Sequence, residues 1–444
     1  MTQAAPGDEP RDEPVGSGSA PDQAVRDNGP GEQATQDAPE RHATWKELFF
    51  DLVVVAGIGQ LAHLLHDDST GSSLGLYAVL FLAFWITWAG FAVYGDIAGD
   101  DARTPVLLVA MVGLAVMAAS VPHIQPLADS PATHATAFVV AYVALRWFAG
   151  SVWQRGKVVL DWPLAQQGFG AVPWIVSLWV AAPGKYWLWT AGIAIDLGAL
   201  LMNSAERTLR EAQERIDRMR RVGRGRVAGA DLTFEGARTD DAHLSERLGL
   251  FVIIVLGEGV IQIIDAASEL ASWDMTTAWT ALGAFVLLAL VWAVGLQYGV
   301  AGIPMLKTGT VAPRLVLLVH AALTGTLAAL AVALGQAVEH HGETLPTEVR
   351  ILLCGAVAIY SAIGVTTALL VGTTARWVLG WGVPSIAVPT LLLFVGADLH
   401  VAVLVWLLAA TLFWLVLPSA RPAGAAGAPL VARRRGPRRD PDLA

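Results

Sequence analysis

The chain is written as a succession of apolar runs, each long enough to cross roughly 30 Å of hydrocarbon as a helix. Twelve can be marked: 48–65, 74–94, 104–121, 134–152, 159–181 and 186–203, then 247–265, 276–300, 313–338, 350–372, 375–396 and 399–417. A soluble domain of 444 residues, 55% hydrophobic and 15% charged, could not hide that much apolar surface from water. The expected fold class is all-α, a polytopic transmembrane helix bundle of about twelve spans. The fifth run is the weakest, since Pro163, Pro173 and several glycines interrupt it. Neighbouring helices in a bundle can satisfy the backbone groups that such breaks set free. Several of the seventeen Trp flank the runs, as an interfacial aromatic belt requires.

Charge divides the chain into five parts. Residues 1–43 are rich in Gly, Pro, Ala, Gln and acids without apolar periodicity, and are expected to be a disordered acidic tail rather than a signal peptide. A first six-helix repeat follows over 44–203, then an arginine-rich linker over 204–246, a second six-helix repeat over 247–418, and a disordered basic tail over 419–444. In the linker, Glu206 and Arg210, Glu211 and Arg215, and Glu214 and Arg218 are i,i+4 pairs that support a charged cytoplasmic helix. Placing both termini in the cytoplasm puts Arg103, Arg155, Lys157, the linker, Lys307, Arg314, Arg376 and the arginine tail inside. The outward gaps "HDDSTGSS", "PHIQPLADSPAT", "ASELASWDM" and "EHHGETLPTEV" hold no Lys or Arg, and the remaining one holds only Lys185. Loop charge and hydropathy thus agree on the number of spans.

The two halves echo each other. "ELFFDLVVVAGIGQLAHLL" from 47 and "ERLGLFVIIVLGEGVIQII" from 246 each open on a Glu, run apolar and turn polar late. Trp88 and Tyr94 of "WAGFAVYGD" match Trp292 and Tyr298 of "WAVGLQYGV", and an Arg opens the next run in both halves, Arg103 and Arg314. Six spans separate the copies, so the expectation is a parallel 6+6 internal repeat.

A carboxylate at the bilayer centre costs about 2.5–3.5 kcal/mol on insertion scales, so acids there need shelter. Glu47 and Asp51 lie one turn apart near the start of the first span, where a helix dipole favours anions; a loop arginine would be a sufficient partner. Glu246 has the same placement, with Arg247 beside it. Glu258 stands halfway along its run between Gly257 and Gly259, with Gln262 and Asp265 following on the same face. The glycines would let another backbone approach and desolvate the carboxyl, the surroundings of a proton- or cation-handling group or of a structural Glu. His63 falls at the place equivalent to Gln262, and Gln60 neighbours the equivalent of Glu258. Arg146 and Asp196 are the embedded charges best suited to pair with each other, and His320 reads as a satisfied structural histidine.

No phosphate-binding glycine loop, HExxH, GxSxG or paired-cysteine motif occurs, and Cys354 stands alone. "EHHGE" at 339–343 lacks ligand spacing. Neither an enzyme activity nor a metal or cofactor is expected, and the linker arginines are explained by orientation without nucleic acid.

"ELFFDLVVVAGIGQLAHLL", "GFAVYGDIAGDDARTPVLL" and "HLSERLGLFVIIVLGEGVIQI" resemble the three signatures of the bacterial low temperature requirement protein A family, over about 44–417. Val54 and Gly59 depart from the Phe and Thr usual in the first signature. The matching positions are Glu47, Asp51, Gln60, Trp88, Tyr94, Asp101, Arg103, Glu246, Arg247, Gly257 and Glu258. The resemblance implies a multi-spanning protein of the bacterial plasma membrane, named for a growth phenotype in the cold, without a settled chemistry. Three functions stay open. A transporter or channel-like protein would move a small solute, proton or cation past Glu258, Gln262, Asp265 and His63. A stress-adaptation or sensory protein would work through its linker or membrane lipids. An intramembrane enzyme would act on a lipid-linked substrate.

Overall fold

The computed structural model describes residues 42–67, 71–124, 132–153, 157–166, 168–202, 235–297, 311–370 and 372–417, with isolated positions between 210 and 218. The expected tails beyond His42 and Leu417, most of the linker, and Tyr298 and Lys307 lie outside these residues.

Helix starts follow the local chemistry. Glu47 reaches back to accept from the Thr44 backbone N–H (2.9 Å) and hydroxyl (2.7 Å), opening α1, Trp45–Asp67. After α2 (Gly71–Ala98), a Pro in the first turn opens α3, Thr104–Ser120. α4 (Ala132–Ser151), α5 (Ala171–Val176) and α6 (Gly184–Met202) complete the first half. Asp240 caps α7, Asp241–Glu269, by accepting from the N–H groups of Ala242 and His243. A reciprocal Asp274–Thr277 capping box opens α8, Met275–Trp292. Next come α9 (Pro313–Glu339) and α10 (Thr347–Leu370). α11 (Ala375–Trp377) then passes through a π-turn into α12 (Val383–Val395), and α13 (Val401–Val416) follows.

Seven helical stretches among the described residues are long and apolar enough to cross a membrane: α2, α3, α7, α8, α9, α10 and the α11–α12 unit. The expected fifth span is different. Residues 159–181 hold the end of strand β1 (Lys157–Val159), a 3-10 turn at Pro163–Ala165, the six-residue α5 and a second 3-10 turn at Ser177–Trp179. Six helical residues reach only about 9 Å. Pro163 and Pro173 remove donors that a continuous ladder needs. The segment is instead tied down where β1 runs parallel to β2 (Glu235–Ala237) and where Trp162, Leu164 and Ala165 are buried.

α2 and α9 form the centre, with apolar side chains all round, as a helix enclosed by other helices requires. α7 packs along α9, α8 and α1, while α1 packs on α2 and α3. Tyr77 of α2 donates to the Gly325 carbonyl of α9 at 2.7 Å. In the first half, Gly192 of α6 lets the α5 region close in. A Cβ there would stand 2.5 Å from the Trp174 ring and 2.6 Å from the Gly170 carbonyl oxygen. Because one neighbour is backbone, Gly192→Ala is expected to destabilise by about 1–3 kcal/mol. A lower melting temperature of the detergent-purified protein is the readout, and an unchanged one would contradict the packing.

Candidate functional site

Three helices each supply ionisable or hydrogen-bonding groups at a spacing of four residues, one turn of helix. Glu47 and Asp51 line one face of α1, His243 and Arg247 one face of α7, and Trp88, Ala92 and Asp96 one face of α2. α1 and α7 enter this end of the bundle by their N-termini and α2 leaves it by its C-terminus, so the three faces meet. All five charged or titratable side chains are buried.

The cluster has two layers. In the outer one, His243 Nδ1 lies 2.5 Å from Asp96 Oδ1 and Nε2 lies 3.5 Å from Glu47 Oε2. The Asp240 backbone N–H donates to the other Asp96 oxygen at 2.7 Å. In the inner one, Arg247 Nη2 donates to Asp51 Oδ1 at 2.8 Å and Nη1 to the Ala92 carbonyl at 3.0 Å, with Glu47 Oε1 3.7 Å from Nη1. The Trp88 indole donates to the same Asp51 oxygen at 2.7 Å. Gly95 makes room: a Cβ there would sit 3.2 Å from Glu47 Oε1. Three carboxylates thus face two basic groups, and the positive ends of α1 and α7 point at the same place.

Beneath Arg247 lies an aromatic layer. The Trp88 ring packs on Phe251 (centroids 4.4 Å apart) and His320 (5.7 Å). His320 Nδ1 accepts from the Trp85 indole at 3.3 Å, and Nε2 faces the Leu248 carbonyl at 3.1 Å. An indole only donates and a carbonyl only accepts, so the ring is the neutral Nε2–H tautomer. His320 is a satisfied buried histidine.

Glu258 belongs to a separate place. It stands eleven residues beyond Arg247 on α7, about 16 Å along the axis. Half-buried, it accepts from Gln262 Nε2 at 2.9 Å. The close approach expected of Gly257 is absent, since a Cβ there meets nothing within 4 Å. Gly259 packs on Leu288 and Ala331, and the residue facing the Glu258 carboxylate is Gly59 of α1, where a Cβ would lie 3.1 Å from Oε2. Asp265 is exposed and Gln60 half-buried, while the side chain of His63 lies outside the described residues.

The sequence-derived candidates therefore split. Glu47, Asp51, Trp88 and Arg247 share one site, and Glu258 and Gln262 another. Arg247 does not serve Glu246, which lies 3.3 Å from His42 instead, and the partner of Glu47 and Asp51 is on a helix rather than a loop. Tyr94 accepts from the Arg103 backbone N–H, Arg103 donates to the Val152 carbonyl, and Asp101 is exposed. Trp292 is 45% exposed, unlike its buried counterpart Trp88, so the two do not share a role. Arg146 and Asp196 do pair, with Nη2 3.2 Å from both carboxylate oxygens, and Nη1 donates to the Leu164 carbonyl. Sequence reasoning missed Asp96 and His243. The signal was present, because His243 precedes Arg247 by one turn and Asp96 follows Trp88 by two.

Among curated proteins, the chain is 28% identical over 241 residues to an uncharacterized protein of Rhizobium meliloti (strain 1021). That alignment covers 51% of this chain and 52% of the relative, so the chain spans about half the length of the protein it matches. The family model of the bacterial low temperature requirement A protein matches residues 42–432, taking in all three buried layers described above, and the chain belongs to that family.

Proposed function

We propose that the chain is a proton-coupled transporter of a small solute or ion in the bacterial plasma membrane, with both termini in the cytoplasm. The observation that carries this reading is the buried cluster in which Glu47, Asp51 and Asp96 of α1 and α2 close on His243 and Arg247 of α7. Buried acids and bases in membrane-spanning segments mark proton and ion pathways. With three carboxylates against two basic groups, a proton changes how tightly the halves are held. In this reading the cluster is the cytoplasmic latch, and Glu258 is the mid-helix carboxylate that receives the proton.

A parallel 6+6 repeat fits this role. α1 packs on α2 and α3 as α7 packs on α8 and α9; α3 packs on α4 as α9 packs on α10; α2 meets α6 as α8 meets α13. With the echo in register, Gly59 is the first-half counterpart of Glu258, so α1 and α7 touch at equivalent positions.

One observation favours a second reading, a non-transporting stress-adaptation or sensory protein. The ion cluster and Glu258 are separate, eleven residues apart along α7, and neither lines the groove at Met275 and Trp406 or the one at Gly71 and Trp187. The cluster would then be interhelical glue.

Proteoliposomes with entrapped pyranine separate the two main readings. A panel of small organic cations, amino acids and sugars is added outside under an imposed pH gradient. Transport requires that at least one solute speeds proton entry through the wild type and that Glu258→Gln slows it by about tenfold or more. Solute-independent traces, or equal rates in wild type and variant, would sink transport.

A further inference from the structure

Away from the buried layers, two histidine rings meet at the C-terminal end of α3. His123 closes the 3-10 turn Val121–His123 that follows α3, and His134 stands in the first turn of α4. They are eleven residues apart in sequence, yet their ring centroids lie 4.1 Å apart at an interplanar angle of 49°. The turn is well anchored, because Val121 and Ile124 are fully buried and it packs against α1 and α4. His123 itself is exposed and His134 half-buried, so the pair belongs to the surface. By loop charge this end is the expected outer face, since His123 lies in the gap "PHIQPLADSPAT" and His134 follows it directly.

The ring nitrogens are available. Among the described residues, the hydrogen bond made by this pair joins His134 Nδ1 and the Thr133 hydroxyl, at 3.4 Å. His123 thus keeps both nitrogens and His134 keeps Nε2. His340 and His341 differ, since each turns Nδ1 to a carbonyl of its own helix end, Gln336 and Val338. Two imidazolium charges at this separation would repel, whereas one cation shared between two neutral rings binds them together.

The dimensions suit such an ion. Metal–nitrogen bonds of about 2.0–2.1 Å in tetrahedral array hold two ligating nitrogens about 3.4 Å apart. Rings with centres 4.1 Å apart reach that spacing by rotation about χ2, a soft torsion in histidine. In the bound form the Thr133 hydroxyl accepts from His134 Nδ1–H, which fixes the tautomer and leaves Nε2 to ligate. No third His, Cys, Asp or Glu completes a cluster among the described residues, so water fills the other positions. Imidazole nitrogen selects zinc, nickel and copper, and disfavours magnesium and calcium, which take oxygen.

We propose that His123 and His134 form an outward-facing site for a divalent transition-metal ion of the zinc and copper kind, which clips the end of α3 to the start of α4. The site is independent of the transport reading.

Isothermal titration calorimetry tests the assignment on the full chain, purified in detergent through a tag without histidine. The probe is ZnCl2 alone, with MgCl2 as the competitor. The wild type should bind Zn²⁺ with a Kd of about 1–50 µM, as expected of half the ligands of a structural zinc site. Mg²⁺ at about 1 mM should leave that binding unchanged. His123→Gln and His134→Gln should each weaken it about tenfold or more, and the double variant little further, because losing either ring ends the chelate. Zn²⁺ should also slow amide hydrogen exchange at the end of α3 and the start of α4 in the wild type, a readout that needs no variant. Unaltered binding in both single variants, additive losses that mark two separate weak ligands, competition by Mg²⁺, or unprotected amides in the zinc-loaded wild type would each overturn the proposal.

Discussion

Arg247→Met is expected to destabilise the folded protein by about 3–5 kcal/mol, the range for stranding a buried charge by deleting its partner. Arg247 is 1% exposed and ties α7 to both other helices, through Asp51 of α1 and the Ala92 carbonyl of α2. Its loss leaves the Asp51 carboxylate with the Trp88 indole alone. Arg247→Lys should recover little, since an ammonium cannot hold a carboxylate and a carbonyl in one planar fork. Adding Asp51→Asn to Arg247→Met should restore much of the loss, because the amide oxygen still accepts from Trp88 and no bare charge remains. Melting temperature and detergent-extracted yield measure the series. A single variant as stable as the wild type would mean the two-layer cluster does not hold the helices together.

Arg146→Met is the second large effect, again about 3–5 kcal/mol, and the double variant Arg146→Met/Asp196→Leu should be markedly milder. The pair joins α4 to α6, both partners are nearly inaccessible, and Gly170 leaves the space that Asp196 occupies. Arg146 also holds the Leu164 carbonyl in the irregular stretch that replaces a fifth span. The single variant should therefore raise amide hydrogen exchange around residues 157–176 before the rest of the bundle loosens. Equal stability of the single and double variants would show that burial of the unpaired Asp196 is not what the substitution exposes.

The sequence disclosed the class of fold through hydropathy and flagged several charges that could not sit in lipid alone. Glu47 and Asp51 stood out through their one-turn spacing, and Arg146 with Asp196 through depth. Hydropathy failed at 159–181 because it counts apolar side chains, whereas a helix also needs backbone donors that Pro163 and Pro173 lack. His243 and Asp96 escaped notice because they lie at the ends of runs, where a polar residue looks solvated. Their burial comes from the neighbours: Glu47, the Asp240 backbone and each other. Glu258 was singled out for the glycines on its own helix, yet the space it occupies is provided by Gly59, some two hundred residues earlier. A contact between separate helices has no signature in the local pattern of either one.

The ion cluster also has a bearing on how the protein is made. Asp51 is translated 196 residues before Arg247. At the ~5–20 residues per second of synthesis, that gap is about 10–40 s. From the making of Asp96 until His243 follows 147 residues later, the newborn first half carries three acids and neither of their basic partners. It is an unfinished object that a chaperone or insertion machinery must tolerate until α7 emerges, and the arrival of α7 marks the moment when the assembly becomes complete.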